Sequence, residues 1–300
     1  MLLPAPAKLN LILRILGRRP DGYHELQTLF QLLDFGDSLE FEVRDGGGIS
    51  VDSGDLDIPL QDNLIYRAAR LLQRKTRCTK GAHIRLQKKL PQGGGIGGGS
   101  SDAATSLLGL NHLWGCDLAI DELAELGRQL GADVPVFVRG RTAWAEGVGE
   151  RLTPAITESR HYLVLVPDCE VSTAAVFGDP RLTRDSTAIK LAHLREGQPG
   201  EGQPGDVRLD SNWLEQHAGN DCQALVESLY PEIRAAREWL QQFARAQLTG
   251  TGACVFAAFD SAQAANRVLA ELPAKWSGFV ASGVRESPAH RQLAKIAPAT

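Results

Sequence analysis

Leu90-Pro91-Gln92-Gly93-Gly94-Gly95-Ile96-Gly97-Gly98-Gly99-Ser100-Ser101-Asp102-Ala103-Ala104 is the stretch that decides how this chain folds. Six glycines occupy seven positions, two hydroxyl residues follow, and an alanine-rich apolar run takes over. Glycine loses more backbone entropy on ordering than any other residue, so a loop this rich in it needs a reason. Close approach to a polyphosphate is one such reason. Without Cβ atoms, successive N–H groups can turn inward as a nest for anionic oxygens. A helix starting near Ser100 adds free N–H donors and the positive end of its dipole. A flexible linker is the plain alternative, but linkers rarely stand between an alternating strand and a helix opened by Ser-Ser-Asp.

Three kinds of phosphate loop compete. The P-loop ends in Gly-Lys-Ser/Thr, a tripeptide this sequence lacks. Gly93, Gly95 and Gly98 formally match a dinucleotide fingerprint. However, the preceding His83-Ile84-Arg85-Leu86-Gln87-Lys88 alternates polar and apolar, as a half-exposed strand does. The first strand of a dinucleotide fold is a buried, continuously apolar run. The third kind rests on Pro91, on Gly95-Ile96-Gly97-Gly98-Gly99-Ser100-Ser101 and on Ala103, taken with two distant segments. These are Pro4-Ala5-Pro6-Ala7-Lys8-Leu9-Asn10-Leu11 and Leu248-Thr249-Gly250-Thr251-Gly252-Ala253-Cys254-Val255-Phe256. In type and order the three resemble the motifs of the GHMP kinase superfamily, which includes galactokinase and the homoserine and mevalonate kinases.

Further segments are similar to one branch of that superfamily, whose acceptor is a cytidine diphosphate-linked methylerythritol. They are Arg19-Pro20-Asp21-Gly22-Tyr23-His24, Leu26 to Asp37, Asp62-Asn63-Leu64-Ile65, Gly131-Ala132-Asp133-Val134-Pro135-Val136-Phe137 and Glu146-Gly147-Val148-Gly149. The resemblance runs from about residue 4 to 290 and is poor only near 184–210. It implies an α+β fold of two domains, 1–154 like ribosomal protein S5 domain 2 and 155–300 ferredoxin-like, with the active site in the cleft between them. It also implies an ATP-dependent alcohol kinase. Ile96 stands where the superfamily usually has Leu, a volume-conserving change. Thr249 and Thr251 stand where Ser is common, and both keep a hydroxyl.

Composition excludes other classes. The 300 residues suit one large or two ordinary domains, and 43% hydrophobic residues suffice for a core. A net charge of −4 argues against a partner bound by phosphate neutralisation, such as nucleic acid. No run of 18 apolar residues suggests a membrane span, and the N-terminus has no basic stretch of a secretion signal. Cys78, Cys116, Cys169, Cys222 and Cys254 are scattered, without metal-ligand spacing, as in a reduced cytoplasmic protein. A monomer or weak homodimer is expected.

Periodicity predicts strands over Lys8–Leu16, Leu26–Leu33 and Ser38–Val43, with Asp34–Asp37 as a turn between the last two. It predicts helices over Asn63–Arg74 with Asp62 as N-cap, Ser101–Trp114, and Ile120–Leu130 closed by Gly131. The second half predicts a strand over Tyr162–Val166 and helical residues over Glu227–Ala244, a second helix starting at Pro231. Strand, helix and strand follow at Ala253–Phe259, Ala262–Leu272 and Gly278–Ser282. Gly197 to Gly205 repeats Gly-Gln-Pro-Gly and reads as a surface insertion.

Phosphoryl transfer needs in-line positioning, charge neutralisation and a group to take the acceptor proton. By resemblance, Asp133 is the base and Lys8 its partner, whose ammonium would stabilise the developing alkoxide and phosphoryl oxygens. Alone, an Asp after Gly-Ala is as well explained as a cap and a Lys in a strand as solvated. Pro91, Gly93, Gly94, Gly95, Gly97, Gly98, Gly99, Ser100 and Ser101 would hold ATP, with Asn63 and Lys88 toward the adenine. Ser100 and Ser101 could equally be helix caps. No acidic cluster stands out as metal ligands, so Mg²⁺ would be held mainly by ATP oxygens and water. Tyr23 offers a stacking face for a pyrimidine and His24 a hydrogen bond to its polar edge. Phe177 could be the second stacking face, Asn10 could bind the acceptor near Lys8, and Thr249, Gly250 and Gly252 would bring the C-terminal backbone close to it. Two alternatives stay open: another small-molecule kinase of the superfamily, and a nucleotide-binding regulator without catalysis.

Overall fold

The computed structural model describes residues 1–54, 56–191 and 205–296. In chain order its N-terminal elements are β1 (Leu2–Arg18), β2 (His24–Arg44), β3 (Ile49–Asp52), α1 (Leu64–Thr76), β4 (Gly81–Gln87), α2 (Gly98–Trp114), α3 (Ile120–Arg128), α4 (Val134–Arg139), β5 (Ala143–Gly147) and β6 (Arg151–Thr157). There follow β7 (His161–Val166), α5 (Thr173–Gly178), β8 (Val207–Leu209), α6 (Ser211–His217), β9 (Gly219–Asn220), α7 (Gln223–Leu229), α8 (Pro231–Leu240), β10 (Ala246–Leu248), β11 (Val255–Phe259), α9 (Ala262–Ala270), β12 (Ser277–Val284) and α10 (Pro288–Ile296). The mixture of sheet and segregated helices is the α+β class expected. The repeat at 197–205 lies, apart from Gly205, outside the described residues.

β1 and β2 form a long antiparallel hairpin that carries the rest. The turn expected at Asp34–Asp37 is absent. Those residues continue β2, with Gly36 opposite Pro6 and Asp37 opposite Ala5. The bend is absorbed instead by a bulge in β2, where Leu33, Asp34 and Phe35 stand opposite Ala7 alone between the Pro6–Gly36 and Lys8–Leu32 pairs. Gly36 lies so close to β1 that a Cβ would overlap the Ala5 carbonyl oxygen. Pro4 and Pro6 are tolerated inside β1 because its second neighbour, β9, pairs only with Ile12 and Leu13.

The sheet runs β10-β11-β7-β12-β2-β5-β6-β8, with β1, β3, β4 and β9 attached off this path. The join is narrow: Gly283 and Val284 of β12 pair with Leu33 and Leu32 of β2. Pro154 lies within β6 and pairs with Ala143 of β5. One core cluster gathers residues of β2, β4, α1, α2 and α4, among them Leu39, Ile84, Leu72, Leu107 and Phe137. A second lies under β7, β11, α8 and α9, with Leu163, Val255, Ile233 and Val268. A third draws Leu9, Leu29, Ile96, Val164 and Phe256 together from both halves of the chain.

α2 fixes the site. Its residues from Ser101 to Leu110 are buried on every face, as befits a helix apolar nearly all round that threads a core. Its N-terminus therefore cannot shift without repacking that core.

Candidate active site

Two cavities meet at the glycine loop. The first, about 410 Å³, is lined by Leu56, Ile58, Asn63, Leu64, Leu86 and Lys88 and by the loop from Pro91 to Ser100. The second, about 770 Å³, is lined by Lys8, Asn10, Tyr23, His24, Asp133, Phe177 and Gly250 among others. Gly95, Gly97 and Ser100 line both. The two cavities share one strip of glycine backbone and the start of a helix.

The loop is held from two sides by three backbone hydrogen bonds. Ala253 N donates to Gly93 O at 3.1 Å, Cys254 N to Gly94 O at 3.1 Å, and Lys8 N to Ile96 O at 3.0 Å. Gly95 has φ +71°, and a Cβ there would overlap the Thr249 carbonyl oxygen. Only glycine fits both the torsion and the contact. Gly97, left-handed at φ 77°, is the N-cap of α2. Ser101 N is the donor that closes onto Gly97 O, at 2.8 Å. The N–H groups of Gly98, Gly99 and Ser100 thus fall ahead of the helical ladder, free for an anion. Ser100 and Ser101 lie inside the first turn and do not cap it, because the helix begins at Gly98. Ser101 is fully buried, its hydroxyl has no hydrogen-bond partner among the described residues, and it lines neither cavity.

Asn63, rather than Asp62, caps α1: its Oδ1 accepts from Ile65 N at 2.9 Å while Nδ2 donates to Ser53 Oγ. α3 ends at Gln129, two residues before the expected Gly131, although Gly131 N still reaches Gly127 O at 3.2 Å. Lys88 lines the first cavity, but its ammonium is tied to Asp37 at 2.7 Å and Asp102 at 3.0 Å. Burial pushes Asp102 up to about 7, against the pull of Lys88 and with the added push of Asp37. Burial would lower Lys88, but the two carboxylates outweigh it and raise it. Asp37 also accepts from Lys89 N and Leu90 N, at 2.6 and 2.8 Å, and so pins the entry to the glycine loop.

In the second cavity, Lys8 Nζ lies 3.2 Å from Asp133 Oδ2. The lysine side chain is 3% exposed and the aspartate 31%, so the carboxylate is the member open to a ligand. Asp133 occupies the N-cap position of α4, yet its side chain makes no capping bond. Lys8 Nζ also donates to Asn10 Oδ1 at 2.6 Å and to Gly95 O at 3.0 Å, which links the ion pair to the glycine loop. Asn10 Nδ2 donates to Thr28 Oγ1 at 2.8 Å, and Asn10 N to Thr249 Oγ1 at 3.0 Å. Such a network fixes the ammonium by its neighbours.

The far end of this cavity is aromatic. Tyr23 stands at the tip of the β1–β2 hairpin, where its N–H donates to Asp21 Oδ1, and it is 65% exposed. His24 is buried, its ring 5.0 Å from that of Phe177 and tilted by 34°. Phe177 sits on α5, which Ser172 caps, and Thr173 ties α5 to Thr251 through a 2.9 Å hydroxyl contact. Burial first, then Arg184 and Arg18, hold His24 below its ordinary value and keep it neutral.

Thr249 and Gly252 line neither cavity and stand behind the site. Thr249 supports Asn10, and Gly252 packs near Leu248, Val171 and Val226. Gly250 does reach the cavity, but its close neighbour is the Gly95 backbone. Sequence reasoning missed Arg184, Thr28, Asp37 and Asp102. None carries a local signal, because each acquires its partner across a long sequence separation. Among the described residues no group of three His, Cys, Asp or Glu side chains could hold a metal ion, and no helix is long and apolar enough to cross a membrane. All five cysteines are free thiols.

The chain matches the family described as GHMP kinases N terminal domain over residues 63–141 and GHMP kinases C terminal over residues 205–278. It is 54% identical over 293 residues to a 4-diphosphocytidyl-2-C-methyl-D-erythritol kinase of Pseudomonas syringae pv. syringae (strain B728a), covering 98% of this chain and 97% of the relative. A crystal structure of 4-(cytidine 5'-diphospho)-2C-methyl-D-erythritol kinase superposes with a TM-score of 0.78 at 31% identity, covering 95% of this chain and all of the other. The mevalonate kinase of Methanococcus jannaschii superposes at 0.62 with 13% identity, over 95% of this chain and 98% of that one, and shares the fold. The chain therefore belongs to the GHMP kinases, within the family of 4-diphosphocytidyl-2-C-methyl-D-erythritol kinases.

Proposed function

We propose that this protein transfers the γ-phosphoryl of ATP to the 2-hydroxyl of 4-diphosphocytidyl-2-C-methyl-D-erythritol. One observation carries the reading: the Lys8–Asp133 pair opens into a cavity that shares Gly95, Gly97 and Ser100 with a second cavity. Adenine would occupy the slot near Asn63 and Leu64. The phosphates would lie along Gly93 to Ser100, with the γ-phosphoryl at the shared strip. The acceptor would place its cytosine between Tyr23 and Phe177 and its hydroxyl toward Asp133. This puts the reaction in a cleft between an S5 domain 2-like unit (1–154) and a ferredoxin-like unit (155–300).

Each group then has a task. Asp133 takes the hydroxyl proton as the oxygen attacks. Lys8, sealed from water, faces the charge that develops on the transferring oxygens. The free N–H groups at the start of α2 hold the phosphates without rearranging. Hard oxygen donors near the shared strip include the Ser100 hydroxyl and the Asp133 carboxylate, and among the described residues no group of three His, Cys, Asp or Glu side chains could hold a metal ion. They suit Mg²⁺ that takes most of its ligands from ATP and water, and that ion would neutralise phosphate charge.

Incubation with Mg-ATP and the cytidyl acceptor should yield ADP and a new phosphomonoester on the 2-oxygen by phosphorus NMR. Absence of both overturns the proposal.

A further inference from the structure

Arg184 lies on a strap without regular secondary structure that runs along the hairpin beside the aromatic end of the cavity. Ser186 N donates to Ile15 O at 3.1 Å, and Ile189 N to Gln27 Oε1 at 2.7 Å, so the strap is fastened to the hairpin just after Arg184. The guanidinium donates through Nε to His24 Nε2 at 3.0 Å, through Nη1 to Leu182 O at 3.0 Å, and through Nη2 to Phe177 O at 2.8 Å and Asp179 O at 2.7 Å. These partners are three carbonyl oxygens and an imidazole, with no carboxylate among them.

A guanidinium has N–H donors and no lone pair to offer. The nitrogen it donates to must be an acceptor. His24 Nε2 is therefore unprotonated, and in a neutral imidazole the proton sits on Nδ1. The charges facing His24, from Arg184 and Arg18, and its burial all oppose a second proton.

We infer that Arg184 is a positioning residue that locks His24 in the Nδ1-protonated tautomer and thereby makes the pocket select cytosine over uracil. The inference rests on the cytidyl acceptor proposed above. Cytosine N3 is an acceptor and welcomes the Nδ1 proton. Uracil carries a proton at N3 and meets it donor against donor. The same guanidinium anchors the Phe177 carbonyl, so the stacking ring and the hydrogen-bonding ring are set by one side chain.

Two readouts test this with the full chain. In the unmodified protein, long-range proton–nitrogen NMR should find His24 Nδ1 protonated and Nε2 with the shift of an unprotonated ring nitrogen. Arg184→Met should then mix the tautomers. It should also cut the preference in kcat/KM for the cytidyl acceptor over its uridyl counterpart by roughly tenfold or more, as expected when a site loses a specified polar contact. The loss should appear in KM for the acceptor, with kcat and KM for ATP nearly unchanged. A proton on Nε2 in the unmodified protein overturns the inference, and needs no variant that folds. An unchanged preference in a folded Arg184→Met protein overturns it as well. Nδ1 protonation without turnover of any cytidyl acceptor supports the tautomer lock and removes instead the substrate proposed above.

Discussion

The glycine loop and the aromatic pocket lie at opposite ends of one site and are built by opposite means. The loop works through its backbone: N–H groups, left-handed glycines and three hydrogen bonds from neighbouring strands and turns. The pocket works through side chains brought from the β1–β2 hairpin, from α5 and from an irregular strap. A loop of the first kind is written into consecutive residues and suits what every ATP carries. A pocket of the second kind depends on convergence and can change its ligand while the fold stays the same. The shared fold with a mevalonate kinase at 13% identity fits that division.

If Asp133 and Lys8 act on the transfer alone, a change at Asp133 should affect chemistry and spare binding at both ends. Asp133→Asn should lower kcat by roughly 10²–10⁴-fold, the usual contribution of a positioned base, with both KM values little altered. Steady-state kinetics with each substrate varied would show it, and near-normal kcat would remove Asp133 from that role. Gly95→Ala attacks the loop itself. The left-handed torsion and the overlap with Thr249 O should cost about 2–4 kcal/mol, within the range for backbone strain and overpacking, and should impair ATP more than the acceptor. Chemical denaturation and KM for ATP check both parts. Tyr23→Ala attacks the other end. It should weaken acceptor binding by about 1–3 kcal/mol, the range for stacking on a base, and leave ATP binding as it was. Calorimetry that finds acceptor affinity unchanged would make Tyr23 a turn residue only.

The smallest effect concerns the support beneath the loop. Asp102 has its pKa raised from 3.8 to about 7 by burial, so between those values the folded state holds a proton that the unfolded state has released. That contribution to stability falls as pH rises from about 4 to 7. Asp102→Asn removes it and leaves Lys88 paired with Asp37. Melting temperature should then depend less on pH across that interval than in the unmodified protein. An identical slope would show that Asp102 stays ionised throughout.

The same contrast explains what could be read in advance. The glycine loop, the Pro231 start of α8 and the strands β7, β11 and β12 follow from local pattern and turn chemistry. The division of β2 at Asp34–Asp37 did not hold, because the acidic residues that resemble a turn instead accept hydrogen bonds from distant segments, the exposed Asp34 from Ser282 N and the buried Asp37 from the entry to the glycine loop. Asp37 serves Lys88, Lys89 and Leu90, each more than fifty residues away. Ser100 and Ser101 looked like caps because hydroxyl residues precede an apolar run, but a left-handed Gly97 starts the helix earlier. At the site, Lys8 and Asp133 were legible only through resemblance, since neither has a local pattern of its own. Arg184 had no signal at all: its partner His24 is 160 residues away.

The central claim is that one phosphoryl group crosses the strip shared by the two cavities to an acceptor selected by the aromatic end. Release of ADP from Mg-ATP tests it most directly, with 4-diphosphocytidyl-2-C-methyl-D-erythritol, mevalonate, homoserine and galactose offered in turn. The account predicts release with the cytidyl acceptor alone. Release with another acceptor and none with the cytidyl one would contradict it.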